Sequence, residues 1–204
     1  MQLFQNPHQK IDLALPDADI IFYPNFISPE RAQHYYNDLL NNTTWQQDNI
    51  KLFGKTYPQP RLTHLFANNN LPYSYSNITM YPTEFTSSLL ALKNDVEVIT
   101  SNKFTTCLAN LYRNGQDSNG WHADNEKELG ERPIIASISL GASRWFHLKH
   151  RTKKELKQKI ELTHGSLLLM QGNTQKYWLH QIPKTKKPVG KRINLTFRIV
   201  ETKN

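Results

Sequence analysis

The pattern of apolar and polar residues changes about halfway along the chain. From Phe104 onward, short apolar or alternating runs are separated by polar turn residues, which is typical of β-strands. Seven strands are predicted: Phe104–Tyr112, Ile134–Leu140, Trp145–Lys149, Gln158–Leu162, Ser166–Met170, Tyr177–Ile182 and Ile193–Val200. Short strands joined by turns favour a β-sandwich or jelly roll over a sheet built from βαβ units.

The first hundred residues predict two helices. Ser28-Pro29 is a helix start, because serine can accept a hydrogen bond from a free backbone amide and proline suits the first helical position. This helix should end near Asn41. Apolar spacing predicts a second helix from Thr83 to about Val98. Both helices have an apolar face suited to packing on a sheet.

Two further segments complete the expected architecture. Residues 11–27 predict an extended segment with a turn, and residues 49–66 predict a β-hairpin that turns near Phe53-Gly54-Lys55. No repeat or linker divides the sequence. We therefore expect an α+β fold in a single domain over residues 1–204, with a β-rich core over about residues 104–200.

The chain of 204 residues carries a net charge of +8, and the positive charge is concentrated near the C-terminus. Residues 149–203 contain fourteen Lys and Arg against three Asp and Glu, which leaves about −3 for residues 1–148. Such asymmetry is typical of proteins that bind a polyanion, although a basic face can also serve solubility alone.

Other features of the sequence indicate an intracellular protein. The single cysteine, Cys107, excludes an internal disulfide framework and lies in an apolar run typical of a core. The N-terminal residues lack the apolar segment of a signal peptide, and no apolar run is long enough to span a membrane. We expect a protein that is neither secreted nor membrane-bound, cytoplasmic and nucleoid-associated in a bacterium or nuclear in a eukaryote.

A candidate metal site begins with His122 and Asp124. An imidazole and a carboxylate two residues apart lie on the same face of an extended segment and can reach one ion, and Gly115 and Gly120 predict a polar turn just upstream. Because this pair alone is common on surfaces, the interpretation depends on a third ligand, and His180 supplies one. Two histidines and one carboxylate predict a facial Fe(II) site with three positions left open.

The segment from Arg192 to Arg198 predicts an anion site. A strand period of two places Arg192, Asn194, Thr196 and Arg198 on one face. Two guanidinium groups and an amide on one face suit a dicarboxylate, because arginine pairs with a carboxylate through two parallel hydrogen bonds. On an exposed strand, the same arginines would simply be solvated.

In type, order and spacing, these motifs resemble those of the AlkB family. Members of that family are Fe(II)/2-oxoglutarate-dependent dioxygenases that remove alkyl groups from nucleic-acid bases. The matching segments are Asn110-x-Tyr112, Gly120-Trp-His122-x-Asp124, Pro133–Gly141, His180 and Arg192-x-Asn194-x-Thr-Phe-Arg198. The resemblance covers about residues 50–200. It implies a double-stranded β-helix (jelly-roll) core that uses Fe(II), 2-oxoglutarate and O2.

The resemblance also implies roles for individual residues. His122, Asp124 and His180 would hold the iron and form the catalytic centre. The residues that would hold 2-oxoglutarate are Asn110, Tyr112, Arg192, Asn194 and Arg198. Arg192 and Tyr112 are expected at its distal carboxylate, and Arg198 at the end that chelates iron.

A substrate-lid hairpin within about residues 45–80 resembles that of the duplex-DNA-repair members of the family. Tyr75 would stack on a flipped base with Tyr73 and Ser76 close by, and Phe53 would wedge into the base stack. Aromatic residues at these positions are also typical of simple packing. Arg61 would contact the strand or the lid.

Charged residues outside the iron site predict further contacts with the substrate. Glu126 is a candidate base contact, because an acid near the pocket favours a cationic methylated base. Asn125 stands where close relatives carry a second acid, which leaves substrate preference open. Phosphate contacts are predicted for nine basic residues: Lys149, Arg151, Lys153, Lys154, Lys157, Lys159, Lys184, Lys186 and Lys187.

The favoured interpretation is a monomeric oxidative demethylase. It would repair N1-methyladenine and N3-methylcytosine in DNA by direct reversal, releasing formaldehyde, succinate and CO2. Alkylated double-stranded DNA is the favoured substrate, with single-stranded DNA and RNA as further candidates. The alternatives are the same chemistry on RNA, a protein side chain or a small molecule, and a non-catalytic metal-binding β-barrel module. The paired arginines argue against the last, because such a module needs no dicarboxylate site.

Overall fold

The computed structural model describes residues 9–52, 54–69, 73–75 and 78–200. The helices are α1 (Pro29–Asn42), α2 (Ser87–Thr100) and α3 (Thr174–Tyr177), and a 3-10 turn spans Lys127–Leu129. The strands are β1 (Ile11–Asp12), β2 (Asp19–Tyr23), β3 (Asn49–Leu52), β4 (Lys55–Pro58), β5 (Leu62–Ala67), β6 (Tyr73–Tyr75), β7 (Ile78–Met80), β8 (Thr106–Tyr112), β9 (Asn119–His122), β10 (Ile135–Gly141), β11 (Arg144–His150), β12 (Lys157–Leu162), β13 (Ser166–Gln171), β14 (Trp178–Ile182) and β15 (Arg192–Arg198).

Two antiparallel sheets form the centre of the fold. The larger has the order β1-β2-β13-β10-β15-β8-β5, and the smaller has the order β12-β11-β14-β9. Apolar side chains from both sheets share one cluster, which joins Ile135 and Leu168 of the larger sheet to Phe146, Leu148 and Trp178 of the smaller one. Two sheets packed in this way form the jelly-roll core expected from the sequence.

The seven strands predicted in the second half are all present, with ends that differ by no more than two residues. The additional strand β9 corrects one prediction, because Gly120 lies within it rather than in a turn before it. Its neighbour β14 supplies the backbone partners, with His180 opposite His122. The large sheet also takes in β2 and β5 from the first half of the chain.

Helices α1 and α2 pack on the other side of the large sheet. Ala32 and Leu39 of α1 and Leu92 of α2 share an apolar cluster with Leu195 and Phe197 of β15. The predicted start of α1 is confirmed, since the Ser28 hydroxyl accepts a hydrogen bond from the Arg31 amide. The buried Cys107 lies in the same cluster, as its sequence context indicates.

The second helix begins at Ser87, so the predicted start at Thr83 is wrong. Thr83 instead makes backbone hydrogen bonds with β5, donating to the Leu65 carbonyl and accepting from the Ala67 amide, both at 3.0 Å. The Thr86 hydroxyl then accepts from the Leu89 amide and caps the helix. Pairing with a distant strand therefore overrides local helical spacing.

A hairpin of β3 and β4 is present, with Leu52 opposite Lys55, but it ends at Pro58, so the predicted extent of residues 49–66 is too long. Residues from Leu62 onward belong to β5, which pairs with β8 in the large sheet. Its proposed wedge, Phe53, and the proposed lid residue Ser76 lie outside the described residues. Tyr73 and Tyr75 are described only in their backbone, which pairs with β7. Of the helices in the described part of the chain, none is long and apolar enough to cross a membrane.

Candidate metal centre

Strands β9 and β14 bring two histidines together at the inner side of the small sheet. His122 and His180 are directly opposite in the register, with ring centroids 4.2 Å apart. Asp124 follows β9 by two residues. One potential ligand atom from each of His122, Asp124 and His180 lies within 4.8 Å of the other two. A single metal ion can therefore bind all three residues.

The hydrogen bonds of His122 determine which of its nitrogens faces the site. Its Nδ1 lies 2.8 Å from the Gly120 carbonyl oxygen, which can only accept, so Nδ1 carries the proton. The Nε2 lone pair then points towards Asp124, whose Oδ1 is 3.8 Å away. Fixing the tautomer through the second ring nitrogen is how proteins orient metal-binding histidines.

The protonation states of these residues also suit a metal ion. Burial, together with the nearby His122, lowers the pKa of His180 to about 3, and burial lowers the pKa of His122 as well. Burial alone would raise the pKa of Asp124, but Arg198 and the two histidines outweigh it and hold that pKa at about 2. At neutral pH the site therefore offers two neutral imidazoles and one carboxylate, which is the form that binds metal.

Arg192 provides a buried positive charge beside this cluster. It is fully buried, and its Nη2 donates to the Ser139 hydroxyl at 2.8 Å and to the Asn194 side-chain oxygen at 3.1 Å. Its Nε and Nη1 have no hydrogen-bond partner among the described residues. Burial lowers the pKa of Arg192 to about 10, so the group stays charged at neutral pH. A buried cation with two unused donors needs an anion, and a carboxylate fits its geometry.

A cavity between the sheets contains the predicted iron ligands and most of the residues predicted to hold 2-oxoglutarate. Those lining it are Asn110, Tyr112, His122, Asp124, His180, Asn194 and Arg198. Arg192 lies behind the wall, with its guanidinium carbon 5.3 Å from the centre of the Tyr112 ring. Thr196, predicted on the same strand face as Asn194 and Arg198, also lines the cavity, whereas Asn119, Ser137, Phe146 and Met170 line it without having been singled out from the sequence.

Two amide side chains that contact the proposed metal ligands also escape sequence reasoning. Gln175 is buried, and its side-chain oxygen accepts a hydrogen bond from the Asp124 amide at 2.9 Å. The side-chain nitrogen of Asn119 lies 3.1 Å from Nε2 of His122, so it donates to the lone pair that a metal ion would take and has to give way when the metal binds. Gln175 is fifty-one residues from its partner, and no spacing pattern connects them.

Arg61 and Glu126 lie close to the same cavity. The Arg61 guanidinium is buried and donates to the side-chain oxygens of Asn110 at 2.7 Å and Asn119 at 3.1 Å. These contacts place Arg61 behind the cavity wall, whereas a nucleic-acid strand would need it at the surface. Glu126 has a buried carboxylate oxygen that makes no hydrogen bond to the part of the chain that the structure describes, and burial, followed by the nearby charge of Asp124, raises the pKa of Glu126.

The predicted phosphate contacts occupy the β11–β12 hairpin and a later loop. Lys149 lies within β11, and Lys157 and Lys159 lie within β12, so these three are strand residues and not loop residues. The ammonium of Lys153 is 2.8 Å from the Asp17 carboxylate, which offsets its charge locally.

The fold and this site together define a class of protein, which the family comparison confirms. The model of the 2OG-Fe(II) oxygenase superfamily matches residues 19–198. Within that superfamily, the chain belongs to the AlkB family, as its motifs indicate. Members of this superfamily use Fe(II), 2-oxoglutarate and O2, and the His122–Asp124–His180 cluster and Arg192 fit the first two.

Relatives with assigned names support this placement. The chain is 42% identical to the bovine alpha-ketoglutarate-dependent dioxygenase alkB homolog 3 over 87% of its own length and 64% of the relative's. It is 34% identical to the DNA oxidative demethylase ALKBH2 of Arabidopsis thaliana over 90% of its length and 67% of the relative's. The chain thus spans slightly less than two thirds of the bovine relative.

A solved structure of OsALKBH1 shares the fold. It superimposes with a TM-score of 0.65 over 88% of this chain and 97% of that one, at 15% sequence identity. At this identity the likeness establishes the fold alone, which agrees with the two-sheet core described above.

Proposed function

We propose that this chain is an Fe(II)/2-oxoglutarate-dependent oxidative demethylase of N-alkylated nucleic-acid bases, with N1-methyladenine and N3-methylcytosine in DNA as its first substrates. The observation that carries the proposal is the juxtaposition of the His122–Asp124–His180 cluster with the buried guanidinium of Arg192. A metal cluster alone would suit many proteins. Only chemistry that also uses a dicarboxylate needs the buried arginine beside it.

The roles of the residues follow from their positions. His122, Asp124 and His180 would hold Fe(II), while Arg192 and Tyr112 would bind the distal carboxylate of 2-oxoglutarate. Arg198, 3.1 Å from Asp124, would meet the end of 2-oxoglutarate nearest the metal. When bound, Fe(II) lets O2 place one oxygen atom in succinate and the other in the methyl group. The chain's own contribution is to hold both reactants in position and to exclude water.

The reaction balances without a further reductant. One 2-oxoglutarate and one O2 are consumed for each N-methyl group, and succinate, CO2, formaldehyde and the unmodified base are released. The hydroxylated methyl group leaves as formaldehyde because its C–N bond breaks while the oxygen-bound proton is lost to water. The base recovers its original form, which makes the process a direct reversal.

Several features favour a nucleic-acid substrate. One of the relatives named above is a DNA oxidative demethylase, and the basic residues of the β11–β12 hairpin suit phosphate groups. The unpartnered carboxylate oxygen of Glu126 suits N1-methyladenine and N3-methylcytosine, since both bases carry a positive charge. The hairpin residue Phe53 and the lid residues Tyr73, Tyr75 and Ser76 are proposed to open the duplex and hold the flipped base. Duplex DNA is therefore the first substrate to test.

The test is an assay of formaldehyde release by protein reconstituted with Fe(II) without oxygen and then supplied with 2-oxoglutarate and air. Matched methylated oligonucleotides of one sequence would be offered as single- and double-stranded DNA and as RNA. The proposal expects release from at least one DNA form by the unmodified chain and none by His122→Ala. If 2-oxoglutarate is consumed without formaldehyde from any of the oligonucleotides, base demethylation is not the reaction of this chain and the proposal is overturned.

A further inference from the structure

The outer face of the small sheet is unusually rich in exposed tryptophan and lysine. Along β11, Phe146 and Leu148 point into the core, so Trp145 and Lys149 point outward. Trp145 is 43% exposed, and Trp121 of β9, one residue before the metal ligand His122, is 40% exposed. Large apolar rings left in water on a sheet face are a feature of binding surfaces.

Each exposed tryptophan has a lysine over its ring. The ammonium of Lys149 lies 4.3 Å from the centre of the Trp121 ring, and that of Lys159 lies 5.3 Å from the centre of the Trp145 ring. In the strand register, Lys157 lies opposite Lys149 and adds a third ammonium. We call Trp121, Trp145, Lys149, Lys157 and Lys159 the tryptophan–lysine face.

The neighbouring titratable groups leave this face positive. His147 lies opposite Lys159, and burial, followed by the charge of Lys159, lowers the pKa of His147, so it is neutral at pH 7. Glu161, opposite Trp145, is an acid on the same side of β12. Three ammonium groups against one carboxylate favour an anionic partner.

A shallow cleft on this face is large enough to receive a flat ring. It has a volume of about 350 Å³ and is lined by Trp121, His147, Leu148, Lys157, Gln158 and Lys159. A ring that stacks on tryptophan and an anion that meets lysine are both present in a nucleotide. Proteins that bind single strands without reading their sequence combine these two elements, aromatic stacking for bases and cations for the backbone.

The face is connected to the metal centre through the β11–β12 hairpin. Arg151, just after β11, lines a second cleft of about 590 Å³ with Asn125, the residue after the metal ligand Asp124. Arg132 and Lys176 line the same cleft and, with Arg151, outnumber its one acid, Glu131. A strand that leaves the base pocket near Asp124 would pass this positively charged cleft on its way to the tryptophan–lysine face.

We propose that the tryptophan–lysine face binds a single-stranded segment of nucleic acid flanking the base presented to the metal. Bases would stack on Trp121 and Trp145 in place of the ammonium groups of Lys149 and Lys159, which would turn to the phosphates. The inference rests on the proposed function for its biological meaning. It adds a contact surface outside the base pocket, and this surface would serve unpaired DNA or RNA as well as strands opened around a lesion.

The direct test is the affinity of the full chain for an unmethylated, fluorescently labelled single strand of about 16 nucleotides, the upper end of known site sizes. Trp121→Ala and Trp145→Ala should each weaken binding by roughly 5- to 150-fold, the range that corresponds to losing one stacked base. Trp121→Phe keeps a ring and should recover most of the affinity. Val98→Ala, at an exposed apolar position on α2, is the matched control and should bind as the unmodified chain does.

The lysines are tested separately through salt. Binding of a single strand weakens with salt, and a plot of the logarithm of the affinity against the logarithm of the salt concentration has a negative slope. In the double variant Lys149→Gln, Lys157→Gln, this slope should be shallower by about 0.7 for each phosphate that is no longer neutralised. An unchanged slope overturns the assignment of the lysines to phosphates. Because Trp121 adjoins a metal ligand, Trp145→Ala provides the stacking result free of any effect on the metal.

The outcomes separate this inference from the proposed function. If both tryptophan-to-alanine variants bind the single strand as tightly as the unmodified chain, the face is not a nucleic-acid surface, and formaldehyde release by the unmodified chain still supports the demethylase. If the variants lose affinity while no methylated oligonucleotide yields formaldehyde, the tryptophan–lysine face is a nucleic-acid surface but the demethylase assignment fails. Equal loss in Val98→Ala overturns the inference, since the effect would then not be local.

Discussion

The guanidinium of Arg198 lies 3.1 Å from the carboxylate of Asp124, and both side chains are almost fully buried. Arg198 belongs to the strand whose other side chains would hold 2-oxoglutarate, whereas Asp124 is a proposed metal ligand. Burial would raise the pKa of Asp124, and Arg198 is the largest of the opposing influences that hold it at about 2. In the proposed function, the same arginine would therefore serve both the metal and the cosubstrate.

Replacing Arg198 should make metal binding more sensitive to acid. Arg198→Met removes the charge that chiefly opposes the effect of burial on Asp124. The pKa of Asp124 should therefore rise by about 1–3, and protons should compete with the metal at higher pH. The charge of Arg198 also lowers the pKa of both histidines, so its loss acts in the same direction. Metal affinity measured by titration from neutral to acidic pH should show its midpoint shifted upward.

The matched control for that experiment is Arg192→Met. It removes an arginine from the same strand and should also impair 2-oxoglutarate binding, but Arg192 is not among the residues that shift the pKa of Asp124. Its metal-binding midpoint should stay at the unmodified value. Identical midpoints in both variants would contradict the role of Arg198 in holding Asp124 ionised.

Gln175 should matter for metal affinity although it is not a proposed ligand. Gln175→Met removes the acceptor for the Asp124 amide while preserving side-chain length, so the loop that carries Asp124 loses a restraint. Outer contacts of this kind are typically worth about 10- to 100-fold in metal affinity. Gln171→Met, which removes a hydrogen bond to Asp19 instead, is the control. The idea fails if calorimetric titration gives equal metal affinity for the Gln175 variant and the control.

Arg192→Lys should raise the KM for 2-oxoglutarate by about 10- to 150-fold, which corresponds to losing one charged hydrogen bond of about 1.5–3 kcal/mol. Lysine keeps the charge but cannot present two parallel donors to a carboxylate. Steady-state kinetics at varied 2-oxoglutarate would measure the change. Arg113→Lys, at a half-exposed position paired with Asp117, should leave the KM unchanged. Similar KM values for both variants would remove Arg192 from the cosubstrate site.

Glu97 should stabilise the fold in a pH-dependent way. It is buried near the end of α2, pairs with Lys93 and Lys103 at 2.8 Å, and accepts from the Phe104 amide at 2.9 Å. Burial raises the pKa of Glu97, but these partners outweigh it and bring the pKa below the ordinary 4.5. The stabilisation is therefore fully present above pH 4.5 and is lost as the pH falls through the lower folded value.

Glu97→Gln should accordingly lower the free energy of unfolding by about 1–3 kcal/mol at neutral pH. The difference from the unmodified chain should shrink in acid, where the native carboxylate is also protonated. Urea denaturation at a series of pH values would measure it. A difference that stays constant from neutral pH to below the folded pKa of Glu97 would show that its charge is not what stabilises the fold.

Sequence reasoning succeeds here where function imposes a short, regular spacing. His122 and Asp124 are two residues apart, and the alternation from Arg192 to Arg198 follows from strand geometry. The metal-binding pair and the anion-binding strand face could therefore both be predicted from the sequence. Their meeting with His180 needed the family resemblance as well as the spacing. The structure brings His122, Asp124, His180 and Arg198 to one cavity between the sheets, with Arg192 behind its wall.

The features that escaped prediction depend on contacts between distant segments. Gln175 meets Asp124 only because α3, which packs against β13 and β14, brings it to the segment after β9, and no local pattern encodes that approach. Thr83 carries helical spacing but pairs with Leu65 and Ala67 of β5, eighteen and sixteen residues earlier. Arg61 is basic and was expected at the strand or the lid, yet its hydrogen bonds to Asn110 and Asn119 hold it inside.

The central claim is that oxidation by this chain is directed at an N-methyl group, and the most direct measurement counts two products in one reaction. Succinate and formaldehyde would be quantified together after incubation with Fe(II), 2-oxoglutarate, O2 and a DNA oligonucleotide that contains N1-methyladenine. The account predicts equal amounts of the two products and neither from His180→Ala. Succinate without formaldehyde, or formaldehyde that persists in His180→Ala, would contradict it.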